Sequence, residues 1–540
     1  MRKTNKYPGP MQPLGRRFWL AFWAIAVSNL AASFDATMLS VALPTISSEL
    51  GGSSTQAFWA GTSYLLASTV LMLIWGTLSD AFGRRMIILA ALLVFALGTI
   101  LCGIAHSWTM MLAGRTVQGI GGGGIVSLTT MLVTDMAPLR ERARLYALIA
   151  CIWTVGTATG PIIGGSLSKA NTWRWIFWIN LPIITISFVG IVFFLRLSQE
   201  SRSLSEKLRL FDYPGLILFI ASTTTFLIPV TWGGTQYPWS GWQTLVPLIL
   251  GVLGIVLFAI YEFRISSAKL PQARLLPSSI FANRSACIGY VSSTVHGMVV
   301  YSLLYYMAEY FQTVKMYSPV IAGVASLPQS LTAAPCAVVV GIIVAGTGKY
   351  RWALWAGWSL VCLGCGLLVL LDTHTAVAEW IFLGAVSGLG LGLLFPSINL
   401  SIQASVPQQE AGIAATLVLF FRSLGHALGV AIGGTIFDNR RRANLRNSVE
   451  NAPSSIMELM ERLHQLPPDD PTSLQIRNAL SRSFHVIWIV MCAFAGLSLF
   501  LSFLMKEYDM NQEHQSDQVF LLKDMGGPSP ETTAGQSSRV

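Results

Sequence analysis

Long apolar stretches recur along the whole chain, separated by short polar loops, and their length sets the architecture. A bilayer core takes roughly 20 residues of helix to cross. Stretches of that length lie near 18–43, 57–78, 86–105, 109–133, 144–168 and 175–197. Two more follow near 212–232 and 243–264, then six near 286–312, 319–345, 351–371, 378–401, 411–437 and 484–505. These fourteen stretches, numbered spans 1 to 14 in chain order, predict an all-α polytopic membrane protein. Backbone inside lipid must satisfy its own hydrogen bonds, which favours helices. The alternating pattern of a membrane barrel is absent.

The spacing also predicts domains. A polar tail over 1–17 precedes a six-helix bundle over 18–197, and it reads as cytosolic sequence rather than a cleaved signal peptide. A two-helix central insertion with flanking loops covers 198–285, and a second six-helix bundle covers 286–505. Within that bundle, 438–483 is expected to form a long extracellular loop. The polar stretch over 506–540 is expected to be a disordered cytoplasmic tail.

Composition agrees with lipid as the solvent. Of 540 residues, 53% are apolar and only 11% charged, whereas a soluble chain carries about a quarter charged. The net charge of +10 raises the question of nucleic acid, and the placement of the cations answers it. Arg84, Arg85, Arg140, Arg142, Arg144, Arg196, Arg202, Lys207, Arg209, Arg264, Lys269, Arg274, Arg284, Lys349 and Arg351 fall in alternate loops. The opposite short loops hold only Lys169, Arg174 and Lys315. This is the positive-inside asymmetry, which places both termini in the cytoplasm and implies no nucleic acid. The segment beginning Arg440, Arg441 and Arg442 breaks the pattern, but long loops obey the rule poorly.

No bound cofactor or metal is expected. The seven cysteines lie in apolar spans, and the pair Cys362 and Cys365 has no second ligand pair. Gly119 to Gly124 fits a dinucleotide-loop spacing but sits inside span 4 with no preceding strand. No phosphate-binding loop of the GxxxxGK[ST] kind is present, which argues against ATP as the energy source. The sequons at Asn283 and Asn399 lie on the cytoplasmic side and inside a span, so neither is expected to be glycosylated.

Two loops hint at an internal repeat. GTLSDAFGRR (Gly76 to Arg85) follows span 2, and GIIVAGTGKYR (Gly341 to Arg351) follows span 10. Each has glycines seven apart and then a basic residue, as a transporter built from related halves would. The second copy has Ala345 where the first has Asp80.

Six stretches in order resemble the major facilitator superfamily, specifically its fourteen-helix drug:proton antiporter branch as found in fungi. They are SFDATMLSVALP in span 1, GTLSDAFGRR, RTVQGIGGGG in span 4, GTATGPIIGG in span 5, WRWIFWINLP at span 6 and FFRSLGHALGVAIGG in span 13. The resemblance implies two six-helix bundles plus two extra central helices, working by alternating access. It also implies conformational gating by Gly76, Asp80, Gly83, Arg84, Arg85 and Asp135. In that family the aspartate faces the start of a helix in the other half, here span 13, where the helix dipole favours a carboxylate. Arg84 is positioned to pair with Asp135. The glycine motif of exporters is carried by Gly156, Gly160, Pro161 and Gly164. Its four-residue spacing lets helices approach closely, so plain helix packing is the competing reading.

Charge inside the spans marks the remaining candidates. Of the 35 Lys and Arg, all but Arg115 and Arg422 fall in loops, tails or the very ends of predicted spans; at depth a charge costs roughly 2.5–3.5 kcal/mol on insertion scales. Asp35 lies in span 1 and matches the coupling aspartate of related antiporters. It is the leading proton carrier, since a desolvated carboxylate exchanges protons near neutral pH, with Arg115 as its partner. A static buried pair is the alternative. Arg422 either lines the cavity or serves packing. Glu309, in YYMAEYFQ, stands where the branch has an apolar residue, and is either a recognition carboxylate or a solvated residue at the outer mouth. Gln329, Asn399 and Gln403 are further cavity candidates, and His296 and His426 are candidate proton relays or plain hydrogen-bonding residues.

The chain therefore reads as a proton-coupled secondary active exporter of small apolar or amphipathic compounds, and not as an enzyme. Drugs, toxins and secondary metabolites are the substrate classes implied by the resemblance. The expected partners are a small-molecule substrate and the lipid bilayer, with the chain working as a monomer. The plasma membrane is the expected site, with the vacuolar membrane as an alternative. A siderophore or other small-solute importer, or a non-transporting membrane sensor, are the competing functions.

Overall fold

The computed structural model describes residues 15–197, 212–234, 236–266, 275–448, 456–467 and 470–512. Most of the expected tail over 1–17, much of the loops flanking the central pair, and 513–540 of the expected disordered tail lie outside the described residues. Among the described residues, 14 helices are long and apolar enough to cross a bilayer. Spans 1 to 7 are Arg16–Leu39, Thr55–Phe82, Arg84–Gly103, Trp108–Met136, Leu139–Lys169, Trp175–Phe194 and Tyr213–Trp232. Spans 8 to 14 are Trp242–Arg264, Arg284–Thr313, Val320–Thr347, Arg351–Leu370, Val377–Ser405, Gln408–Arg446 and Pro471–Phe503. Spans 1 to 6 form one bundle and spans 9 to 14 another. Their outer surfaces are apolar and exposed, as Leu93, Phe193, Ile342 and Phe500 illustrate, which is the inverse of a soluble protein.

Several helices outrun the apolar stretches that predict them. The helix of span 13 continues to Ser448, a separate helix covers Ile456–Gln465, and the helix of span 14 begins at Pro471. Most of the loop expected over 438–483 is therefore helix. Hydropathy marks only what meets lipid, and beyond it these helices are held by protein contacts. Ile476, Leu480 and Ser483 are buried, Asn444 donates to Ser483 Oγ at 3.0 Å, and Arg477 donates to the Val314 carbonyl at 2.8 Å. The first residues of the tail expected to be disordered also pack back on the bundle. Met510 is buried, and Gln512 donates to the Ala404 carbonyl at 2.9 Å.

Two spans are broken by proline. Span 6 divides into Trp175–Trp178 and Asn180–Phe194, and the helix of span 10 into Pro319–Ala325 and Leu327–Thr347. Pro182 and Pro328 lack an N–H and crowd the carbonyl four residues earlier, which falls at each break. The cysteine arrangement also differs from the sequence spacing. Cys362 meets Cys492 of span 14, sulfur to sulfur at 3.4 Å, rather than Cys365.

The central pair is not a detached insertion. Phe219 of span 7 packs on Phe420 of span 13 with ring centroids 5.5 Å apart. Trp232, at the other end of span 7, packs on Trp59 of span 2 at 6.2 Å. Span 7 thus touches both bundles, and Trp239 in the loop after it donates to Thr435 of span 13 at 2.7 Å.

Close packing within the first bundle depends on small residues. Gly156, Gly160 and Gly164 line one face of span 5, and span 1 lies in the groove. Thr37 donates to the Gly156 carbonyl at 3.3 Å, and Ser33 to the Trp153 carbonyl at 3.0 Å. A Cβ at Gly164 would collide with the backbone of Met38. Gly164→Val is therefore expected to destabilise the protein by about 1–3 kcal/mol through overpacking, read as a lower unfolding midpoint in detergent. Gly384 has nothing within 4 Å of its virtual Cβ, so Gly384→Ala should leave the midpoint unchanged or raise it.

Candidate functional site

The centre of the first bundle holds a closed polar cluster. Asp35, Arg115 and Gln118 are 0%, 1% and 0% exposed. Arg115 and Gln118 are three residues apart and so share a face of span 4, turned toward span 1. Arg115 Nη1 donates to Asp35 Oδ1 at 2.8 Å and Oδ2 at 2.6 Å. The same nitrogen donates to Gln118 Oε1 at 2.7 Å, and Gln118 Nε2 donates to Asp35 Oδ1 at 2.8 Å. Gln118 also donates to Thr99 Oγ1 at 3.0 Å, and Arg115 Nε donates to the Ala60 carbonyl at 2.9 Å. Tyr64 lies under the guanidinium, 4.5 Å from ring centroid to Cζ. The structure thus brings together Asp35 and Arg115 and adds Gln118, Thr99 and Tyr64, which the sequence reading passed over. The signal for Gln118 was present in its three-residue offset from Arg115. Nothing in the sequence pointed to Tyr64.

A second cluster sits where span 2 turns into span 3. Gly83 has φ +97, a conformation that side chains avoid, and this permits the tight turn. Arg84 pairs with Asp80 one turn earlier and with Asp135 through Nε to Oδ2 at 2.7 Å. It also donates to Ser79 Oγ at 2.6 Å. The start of span 13 lies against this cluster. A Cβ at Gly412 would be 3.5 Å from Arg84 Nη2, and one at Gly76 would be 3.5 Å from Thr416 Cγ2. Arg85 instead donates to the Val192 carbonyl of span 6 at 2.5 Å, so it ties span 6 to its own bundle.

The same end of the molecule carries bonds between the two bundles. Arg142 donates from Nε to the Ala137 carbonyl at 2.9 Å and from Nη1 to Gln403 Oε1 of span 12 at 3.0 Å. Gln403 Nε2 donates to the Tyr146 hydroxyl at 2.9 Å. Arg140 donates to the carbonyls of Ala345 and Gly346 at the end of span 10, where the helix dipole favours a cation. Arg142 is 0% exposed, and Arg84 and Arg441 are also buried. The expectation that only Arg115 and Arg422 lie inside is therefore corrected. Helix ends that look like loop sequence are covered here by neighbouring helices.

The candidates of the second bundle do not converge on one place. Arg422 is buried and stacks on Phe395 of span 12, 4.4 Å from the ring centroid. Asn399 is one turn further along span 12 and buried. Gln329 is buried where span 10 backs onto Gly388, roughly 16 Å of helix from Asn399. Glu309 is half-buried and faces Asp438 and Arg441, roughly 20 Å of helix from His296 beside Arg422. His296 Nε2 lies 3.3 Å from the Leu391 carbonyl, and His426 stacks on Tyr301 at 3.8 Å.

Comparison with known proteins agrees with this arrangement. The family model described as Major Facilitator Superfamily matches residues 25–430. The MFS transporter L2 of Phoma sp. is 43% identical over 515 residues, covering 94% of this chain and 85% of that one. The Efflux pump FUS6 of Gibberella fujikuroi is 35% identical over 519 residues, covering 94% of this chain and 92% of that one. The crystal structure of the human organic anion transporter MFSD10 superposes with a TM-score of 0.59 over 91% of this chain and 100% of that one. At 16% identity, that likeness bears on the fold alone.

Removing one member of a buried ion pair strands the other. Asp35→Asn and Arg115→Met are each expected to cost about 3–5 kcal/mol in unfolding free energy. The double variant should cost less than their sum by about 0.5–3 kcal/mol. A double-mutant cycle of unfolding in detergent measures this, and additive losses would show that the two residues do not act as a pair.

Proposed function

Because the chain belongs to the Major Facilitator Superfamily, we propose that it is a proton-coupled efflux transporter of small apolar or amphipathic compounds. Drugs, toxins or secondary metabolites are the substrate classes this reading assigns. The observation that carries it is the fully buried cluster of Asp35, Arg115 and Gln118, in a chain 35% identical to an efflux pump over nearly its whole length. An ionisable residue at membrane depth is expensive and belongs to ion pathways by default.

In this mechanism a proton arriving at Asp35 neutralises the carboxylate and breaks the ion pair. Arg115 is then held only by Ala60, Gln118 and the face of Tyr64. Tyr64 lies within electrostatic range of Tyr301 in the second bundle. Loosening of Arg115 therefore reaches the boundary between the bundles, which rock about the central site in alternating access. Gly76, Asp80, Gly83, Arg84, Arg85 and Asp135 serve as the gate, and the Arg142–Gln403 bond closes the same end. The groove of Gly156, Gly160, Pro161 and Gly164 is the surface on which span 5 moves against span 1.

The basic loops support a topology with both termini in the cytoplasm, in which the conformer tied at Arg142 is the one closed to the cytoplasm. The protein is assigned to the plasma membrane as a monomer, with bundles over 18–197 and 286–505 around the central pair. Its transport involves no covalent chemistry.

Cells expressing the chain and preloaded with Nile red, a neutral lipophilic dye, test this reading. Efflux is expected to exceed that of control cells, and to fall to the control rate with a protonophore and in Asp35→Asn. Efflux that survives the protonophore would remove proton coupling, efflux intact in Asp35→Asn would remove that residue, and net inward accumulation would make the protein an importer.

A further inference from the structure

Span 13 carries a guanidinium that no group among the described residues satisfies. Arg422 is 6% exposed, and among the described residues its Nε, Nη1 and Nη2 have no hydrogen-bond partner. Arg115, by contrast, is matched by a carboxylate, an amide and a carbonyl. A guanidinium carries five N–H donors and stays charged. Leaving it buried and unmatched is costly, and an acceptor on a bound molecule would remove that cost.

The surroundings repeat the pattern. Asn399 Oδ1 and His296 Nδ1 are also buried without a partner among the described residues. Asn399 uses its amide nitrogen on the Phe395 carbonyl at 3.1 Å, and His296 lies within electrostatic range of Arg422. Three unfilled polar groups from spans 9, 12 and 13 thus meet along the stretch of span 12 from Leu391 to Asn399, with the guanidinium lying over the face of Phe395. The geometry is fixed rather than adaptable. A Cβ at Gly297 of span 9 would collide with the Arg422 carbonyl, so the two backbones are in contact where this side chain emerges.

The place also lies on the path between the bundles. His426, one turn beyond Arg422, stacks on Tyr301 with planes 16° apart. Tyr301 lies within electrostatic range of Tyr64, the residue under Arg115. Ser423, next to Arg422, contacts Met72 Sδ of span 2 at 3.7 Å. The carboxylate of the first bundle is occupied by Arg115, and Glu309 faces Asp438 and Arg441 instead. No carboxylate among the described residues pairs with Arg422.

We propose that Arg422 anchors a carboxylate on the transported molecule, which makes the substrate an amphipathic organic acid. The two carboxylate oxygens take the paired donors of the guanidinium. The apolar body of the acid lies against Phe395 and Tyr301, and a hydroxyl or amide N–H on it meets the free oxygen of Asn399. This rests on the export reading for the direction of transport, but not for the binding chemistry.

The test uses the full chain, purified and held in lipid nanodiscs without a proton gradient. Naphthalene-, anthracene- and pyrene-carboxylate are each titrated against their primary carboxamides, with binding followed by probe fluorescence. At least one acid is expected to bind about tenfold or more tightly than its amide, the range of a hydrogen bond to a charged group. Arg422→Gln should abolish that preference, and Arg422→Lys should retain part of it. The empty Arg422→Gln protein should also unfold at a higher midpoint than wild type, because an unmatched buried charge has been removed. A purely structural arginine would give a lower midpoint. The proposal is overturned if no acid is preferred by wild type, or if the preference survives in Arg422→Gln. Acid preference without outward transport of the preferred acid from preloaded cells would keep the substrate class and sink the export reading, and Nile red efflux without acid preference would do the reverse.

Discussion

Hydrocarbon offers no partner to a polar group, and that constraint orders everything else in this protein. Backbone amides close on themselves in helices, and side-chain charges must find acceptors inside the bundle. Arg115 does so completely, with Asp35, Gln118 and a carbonyl in reach. Arg84 does so at the membrane edge with Asp80, Asp135 and Ser79. Arg422 does not. The same rule that explains the first two makes the third stand out, and the proposed substrate carboxylate is the acceptor it lacks.

In the proposed mechanism the satisfied clusters are also where movement is controlled. The Asp35 cluster sits within one bundle, and its Tyr64 lies within electrostatic range of Tyr301 in the other. The Arg142–Gln403 bond joins the bundles directly. Because buried ion pairs are strong only while both partners are charged, neutralising a single carboxylate changes how tightly span 4 is held. Close backbone contacts, such as span 1 in the groove of span 5, leave such changes few directions in which to relax. Packed elements of this kind respond by shifting as bodies.

Much of this was legible in the chain. Fourteen apolar stretches announced fourteen spans, and the pairing of Asp35 with Arg115 followed from their being rare charges at depth. The Arg84–Asp135 contact was readable from two residues at the same membrane face. The helical run through 471–483 was not readable, since its buried residues include serines that hydropathy counts as loop. Arg142 looked like a topology anchor and proved to be a buried tie between bundles. Gln403 looked like a cavity residue and proved to be its partner.

The sequence by itself determined the solvent, the number of crossings and that Asp35, Arg115 and Arg422 carry charge at depth. Those properties follow from composition and spacing along one chain, and burial of a span needs no knowledge of its neighbours. Tertiary structure alone decided which charges are matched. Partnership depends on distances between helices far apart in sequence, such as the 80 residues separating Asp35 from Arg115. It also decided that Arg422 and Asn399 share one unfilled place while Gln329 and Glu309 lie elsewhere. A residue's chemistry is written in the chain, but whether that chemistry is already spent is settled only by what packs beside it.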